Sequence, residues 1–307
     1  MRQTAERYVK FVVLLAVISG STSGILGRLI TADSMAIGFY RLTMALPFFL
    51  VPVLLHKREA LKAVPKRDLV WSAVSGMFLF WHFLCWFIAV KNTSIASAII
   101  LADLHPLVVM GITVVVLKKK VPPLAALGVF VALLGAGIVM GFDISFSGTQ
   151  VYGDVMAIFT AIAMAVYFCI GGVLRKDIPG DIYITLVFSA CWLCFTVGMV
   201  ATGTPFFGYP LSDYLWLVLM TALCQIGAHA VLNWSMRFVP ALYVSAWGTA
   251  EIVSAPILAL WVFGEVPGPA KIIGGAIVIA GLLYYNYHEN DTPGKRPSAI
   301  SKGHPAE

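Results

Sequence analysis

A chain of 307 residues that is 60% hydrophobic and only 12% charged, with a mean hydropathy of +0.89, is too apolar for a soluble domain, where about a quarter of residues are charged. It is read as an all-α integral membrane protein. Its net charge of +6 arises from Lys and Arg residues lying between apolar segments, where they set topology, so nucleic acid is set aside as a partner. Five cysteines, Cys85, Cys169, Cys191, Cys194 and Cys224, all lie inside apolar segments, and their odd number argues against a disulfide framework. The lone CxxC pair, Cys191 and Cys194, lacks the second ligand pair that a zinc site needs, so neither a metal nor another cofactor is expected.

Ten apolar segments follow in order, near 8–30, 34–55, 69–90, 94–117, 124–141, 152–174, 182–202, 212–236, 241–263 and 270–287. Each is long enough, or nearly so, to cross a hydrocarbon core of about 30 Å as a helix. The first follows Arg2, Arg7 and Lys10 but is too long for a signal peptide and has no clear cleavage site. Its Ser19, Gly20, Ser23, Gly24 and Gly27 leave room for a neighbouring helix. If the N-terminus is cytoplasmic, every Lys and Arg except Arg28, Arg41, Lys91 and Lys271 falls in a cytoplasmic segment. The bias puts both termini on the cytoplasmic side. The polar stretch 289–307 is read as a disordered cytoplasmic tail.

The halves are related. Asp68 and Trp71 recur 145 residues later as Asp213 and Trp216, and Lys120 to Pro122 (KVP) recurs as Glu265 to Pro267 (EVP). Five spans per copy is an odd number, so the second copy is inverted. The chain therefore divides into a first five-helix repeat, 1–145, and a second, inverted one, 146–288. Inverted repeats are an architecture of alternating-access carriers, with the substrate site at mid-membrane between the copies.

Polar residues inside the spans mark that site. Asp103 and His105 lie near the middle of the fourth, where an ionisable group costs on the order of 3 kcal/mol unless protein or water solvates it. They are two residues apart, so both face a cavity only if Pro106 distorts the turn before it; otherwise one is a structural contact. The repeat offset maps Ala102 onto Trp247 and Pro106 onto Glu251 in the ninth span, where Trp247 and Glu251 share one helix face. His82 and Trp86 are four apart in the third, with Trp81 adjacent, and Gln225, His229 and Asn233 draw a polar line down the eighth. A line of that kind faces protein or water rather than lipid. Arg41, early in the second span, either snorkels outward or pairs with a carboxylate.

The run HFLCWFIAVKNTSIASAIILADLHPLVV, with FYRLTMALPFF before it, resembles the first repeat of EamA-type proteins of the drug/metabolite transporter superfamily. GAHAVLNWSMRFVPALYVSAWGTAEIVSAPILALWVFGE is similar to the second repeat. The resemblance implies ten helices, cytoplasmic termini and a central cavity lined by helices 1, 3, 4, 6, 8 and 9, with helices 5 and 10 peripheral. His82 and Trp86, His229 and Asn233, and Glu251 and Glu265 match its third-, eighth- and ninth-helix patterns. Lys120 stands where the family has a glutamate, and Asp103 has no counterpart.

The resulting expectation is a secondary carrier rather than an enzyme, working by alternating access in the cell inner membrane. The absence of a GxxxxGK[ST] loop leaves an ion gradient or solute exchange as the energy source. Family resemblance points to export of amino acids or related metabolites. Uptake or exchange of organic cations such as quaternary amines is the alternative, and a membrane-embedded enzyme using Asp103, His105 and Glu251 the remote one. Trp81, Trp86, Asp103, Tyr167, Asn233 and Trp247 are the candidate substrate contacts, and Glu251, His82 and His229 the candidate proton-coupling groups. Partners are a small-molecule substrate, the bilayer and protons. The glycine-rich helices leave open whether they pack within one chain or form a homodimer.

Overall fold

The computed structural model describes residues 2–115, 118, 122–141, 148–174, 178–235 and 250–288. The described residues form helices α1 (Arg2–Leu29), α2 (Ser34–His56), α3 (Arg58–Lys62), α4 (Lys66–Asn92), α5 (Ile95–Ala102), α6 (His105–Val115), α7 (Pro123–Gly141), α8 (Gly148–Leu174), α9 (Gly180–Thr202) and α10 (Leu211–Met220). A π-helix (Thr221–Ala230) continues α10 directly into α11 (Val231–Ser235), and α12 (Glu251–Phe263) and α13 (Pro269–His288) complete the chain order.

Seven stretches are long and apolar enough to span a bilayer: 11–29, 34–56, 66–92, 95–112, 148–174, 180–202 and 211–230. Three more apolar helices, 123–139, 251–263 and 269–285, are shorter. Thus seven of the ten expected spans have full length among the described residues. The ninth is shortened because its first part, and with it Trp247, lies outside them. The side chain of Asn233, Lys120 and the tail 289–307 also lie outside.

Local chemistry sets the helix ends. The Asp33 carboxylate accepts from the Met35 N–H at 2.8 Å to start α2, and Ser94 Oγ accepts from the Ser97 N–H at 3.1 Å to start α5. Gly203 and Gly264 close α9 and α12 with φ of 69° and 66°, a left-handed turn that glycine adopts without a Cβ clash. The repeat is visible here too. Pro65 precedes α4 with φ −58° and ψ 144°, and Pro210 precedes α10 with φ −57° and ψ 149°. These prolines are 145 residues apart, like the aspartates and tryptophans that follow them.

Packing follows the same relationship. α4 lies on α8 as the π-helix lies on α1, α5 meets α8 as α12 meets α1, and α2–α9 and α7–α13 are pairs between matching helices of the two halves. In the α7–α13 pair the glycines let the backbones touch. A Cβ on Gly281 would lie 2.5 Å from the Ala132 nitrogen, and one on Gly135 would lie 2.7 Å from the Gly274 oxygen. These helices therefore pack on each other within one chain. The outward surface is apolar, carrying Phe48, Phe130, Val200, Leu215 and Trp261, as a lipid-facing surface must.

Candidate functional site

The fourth span is interrupted where its charges lie. α5 ends at Ala102, Asp103 and Leu104 form a turn, and α6 begins at His105. Pro106 has no N–H to give the carbonyl four residues back, which is that of Ala102. The His105 side chain lies near that carbonyl and packs against Phe168 with ring centroids 5.4 Å apart. His105 is thus the structural contact of the pair. Asp103 keeps a buried Oδ2 without a hydrogen-bond partner among the described residues. Glu251 is the first residue of α12, which packs against α5.

Glu251 owes its place to a missing side chain. Its Oε1 sits where a Cβ on Gly20 would approach to 2.7 Å, so the small residues of α1 admit a carboxylate to the helix interface. Around it Ser21 and Ser254 share a hydrogen bond of 2.6 Å, and Ser19 Oγ donates to the Leu223 carbonyl at 2.8 Å. Trp86 Nε1 donates to Ser23 Oγ at 3.1 Å, which lays the indole against α1 beside Gly24. Glu251 and Trp86 therefore converge on the middle of α1, and α5, which ends next to Asp103, packs on α12.

A second cluster surrounds Phe83. The Arg41 guanidinium lies 4.3 Å from the Phe83 ring centroid, and the rings of His82 and His229 lie 5.2 and 5.9 Å from it. The His82 Nδ1 and the Thr160 carbonyl are 3.2 Å apart. Arg41 is only 1% exposed, and its Nε donates to Gln225 Oε1 at 2.8 Å. Both sequence-based alternatives for Arg41 are thus corrected. It neither snorkels nor forms a salt bridge with a carboxylate among the described residues. Arg41 Nη2 and Gln225 Nε2 are buried without partners among the described residues. Orphaned buried donors of this kind cost about 1–3 kcal/mol each, and more where the group is charged. Gln225 belongs to the π-helix, whose wider turn replaces the regular i, i+4 polar line expected there; such segments are frequent at functional sites. Cys224, next to Gln225 in the chain, meets Thr22 Oγ1 at 3.4 Å and the Ser19 carbonyl at 3.7 Å, so α1 borders both clusters.

Trp81 departs from expectation. One residue past Phe80 on α4, it falls on the outer stripe with Ala73 and Met77 and is 48% exposed, away from His82 and Trp86. Tyr167 is buried on α8, and its ring meets that of Phe168, the residue His105 packs against. Arg41 was the group that sequence reasoning undervalued. Its signal is depth: seven residues into α2, about 10 Å along the axis, is far for a side chain to snorkel.

One end of the bundle is tied by a polar network. Arg28 Nη1 meets Glu265 Oε2 at 2.6 Å, Arg28 Nε donates to the Val90 carbonyl at 2.7 Å, and Nη2 donates to the Thr93 carbonyl. Glu265 Oε1 accepts from the Ile95 N–H at 2.9 Å. Asp213 accepts from the Thr31 N–H, the Thr31 hydroxyl and the Ala32 N–H at 3.1, 2.9 and 2.8 Å, and Thr93 donates to Asp154 at 2.7 Å. An open hollow of about 520 Å³ at this end, lined by Thr31, Ala32, Met35, Leu84, Ile88 and Lys91, is separate from both clusters.

Comparison with known proteins agrees with this architecture. The chain matches the model of the EamA-like transporter family twice, over residues 8–141 and 151–287. It is 25% identical over 258 residues to an uncharacterized transporter of Archaeoglobus fulgidus, covering 81% of this chain and 86% of that one. It is 24% identical over 223 residues to the uncharacterized transporter YxxF of Bacillus subtilis, covering 71% of this chain and 70% of the relative. A solved structure titled only as the crystal structure of a protein superposes with a TM-score of 0.64 at 17% identity, over 94% of this chain and 98% of that chain, which speaks to the fold alone. With both halves matched and multiple apolar spans in place, the chain belongs to the EamA-like transporter family and is a multi-pass membrane transporter.

Proposed function

We propose that this transporter is a secondary carrier in the cell inner membrane, with ten spans and cytoplasmic termini. On this reading it exports amino acids or related small metabolites by alternating access between the halves 1–145 and 146–288. The observation that carries this reading is the broken fourth span, where Asp103 holds a buried oxygen with no partner among the described residues, at the end of a helix that packs with α1 and with α12, the helix of Glu251. An unpaired carboxylate in a bilayer is costly, and interrupted helices at membrane depth are a means of binding solutes or ions. Glu251, His82 and His229 are the proposed proton-coupling groups; Trp86, Asp103, Tyr167, Asn233 and Trp247 are the proposed solute contacts. Trp81 is left out because of its outer position. Loop charges assign the network around Arg28 and Glu265 to the outer side. On this reading the tied network closes the outer side, and solute enters from the cytoplasm.

A second reading has one observation in its favour. An indole, Trp86, with two carboxylates near the same helix suits an organic cation, so uptake or exchange of quaternary amines is the alternative. Sealed proteoliposomes loaded with unlabelled solute test the carrier itself. Counterflow of labelled amino acids, or of labelled choline, is expected, and it stops when the vesicles are opened. Chemical turnover of the same compounds in detergent micelles, without vesicles or gradients, would instead support an enzyme.

A further inference from the structure

We propose that Arg41 and Gln225 hold the carboxylate of the transported solute; this rests on the carrier reading above. Arg41 is 1% exposed and Gln225 is fully buried, so both are deep in the protein. The Arg41 Nε–Gln225 Oε1 bond of 2.8 Å settles which way the amide points, because a flipped amide would set donor against donor. That orientation turns Gln225 Nε2 away from the guanidinium Nε, and both Nε2 and Arg41 Nη2 are left with hydrogens to give and nothing among the described residues to accept them. Two orphaned donors on adjacent groups, one carrying a full positive charge, ask for an acceptor with two oxygens. A carboxylate meets that demand in geometry and in charge, since a guanidinium presents its N–H groups in a fork that matches it. The doubly charged phosphate group would bring more charge than one guanidinium balances.

Arg41 and Gln225 are not required by the architecture. At the repeat offset of 145 residues, Leu186 and Phe80 occupy the equivalent positions, so the other half packs there with apolar side chains. A cation serving only packing would carry a counter-ion, and Arg41 has none among the described residues. Cys224, the neighbour of Gln225 in the chain, meets Thr22 Oγ1 at 3.4 Å and the Ser19 carbonyl at 3.7 Å, on the same stretch of α1 where Glu251 Oε1 lies against Gly20; the complementary charge is there. A zwitterion with its carboxylate at Arg41 and its ammonium towards Asp103 and Glu251 satisfies both clusters. Gln225 stands on the π-helix and Phe83 covers the guanidinium, so access requires one of these to shift.

The test is thermal unfolding of the purified full-length protein in detergent at constant ionic strength. The probes are acetate, leucine, phenylalanine and glutamate, with acetamide, leucinamide and phenylalaninamide as neutralised controls. At least one carboxylate is expected to raise the melting temperature by about 3–8 °C at one hundred times its Kd, while its amide does not. Arg41→Met is expected to weaken that Kd about 30-fold or more, while the empty variant melts no lower than the wild type because an unpaired buried charge has gone. Gln225→Glu gives Arg41 an internal counter-ion, so the empty protein should melt higher and respond to no carboxylate. The proposal is overturned if no carboxylate stabilises the wild type, if the response survives Arg41→Met, or if Gln225→Glu leaves both melting and response unchanged. Counterflow on the same preparations separates the two readings. Solute movement indifferent to Arg41 sinks the carboxylate site alone, and no movement of any solute sinks the carrier as well.

Discussion

Replacing Glu265 by Gln removes the charge from the hub of the tied end while keeping its shape. Glu265 Oε2 lies 2.6 Å from Arg28 Nη1, and the two side chains are 21% and 24% exposed. A fully buried pair broken on one side costs about 3–5 kcal/mol, and an exposed pair is worth about 0–1 kcal/mol. With roughly a fifth of each side chain open to solvent screening, the coupling should be about 2 kcal/mol. The Gln carbonyl can still accept from the Ile95 N–H at 2.9 Å, so the start of α5 survives; its amide N–H₂ would then face Arg28, donor against donor. Denaturant unfolding of the wild type, Arg28→Met, Glu265→Gln and the double variant gives the coupling as a cycle. The expected value is about 2 kcal/mol, with Glu265→Ala losing about 1 kcal/mol more because the Ile95 N–H is uncapped. A coupling below about 0.5 kcal/mol would mean that the pair is surface decoration and that the end is held by something else.

Three further substitutions probe other parts of the account. Gly281→Leu places carbon against the backbone of Ala132 and Gly128 and should destabilise the α7–α13 pair by about 1–3 kcal/mol or more in thermal unfolding; an unchanged melting temperature would contradict the close approach. Asp213→Asn leaves one oxygen to serve three donors, so it should cost about 2–3 kcal/mol, whereas Asp68→Asn, in the same first-turn position but without a carboxylate hydrogen bond among the described residues, should cost less than about 0.5 kcal/mol. Glu251→Gln should leave expression and melting nearly normal and lower gradient-driven transport at least about tenfold, while exchange without a gradient is reduced less. Full gradient-driven transport in that variant would remove Glu251 from coupling.

Much of the fold is legible in the sequence because a bilayer constrains it strongly. Apolar runs must be helices, and the recurrence of Asp68 and Trp71 as Asp213 and Trp216 carries through to matched prolines at the starts of α4 and α10. Pro106 signals a disturbed turn in the fourth span, and the structure breaks the helix there, with His105 near the freed Ala102 carbonyl and an Asp103 oxygen without a partner among the described residues. Arg41 was less legible. A lone arginine near the start of a span suggests snorkelling, and its amide partner lies 184 residues away on another helix. Trp81 erred for a related reason, since adjacency to His82 says nothing about face, and one residue turns a helix by about 100°. The π-helix has no signature in spacing, because Gln225, His229 and Asn233 fit an α-helical stripe just as well.

The central claim is that solute crosses at the middle of α1, between two halves that open alternately. The most direct measurement is labelling of Ser23→Cys, at the Trp86 contact, by a membrane-impermeant maleimide in a variant lacking the five native cysteines, applied in turn from each side of sealed vesicles. The account predicts reaction from the cytoplasmic side in the protein as it stands, little from the outer side, and a rise of about 5–30-fold from the outer side in Glu265→Gln, matching the loss of about 1–2 kcal/mol from the outer closure. Equal reaction from both sides at once, or an outer rate that Glu265→Gln leaves unchanged, would contradict it.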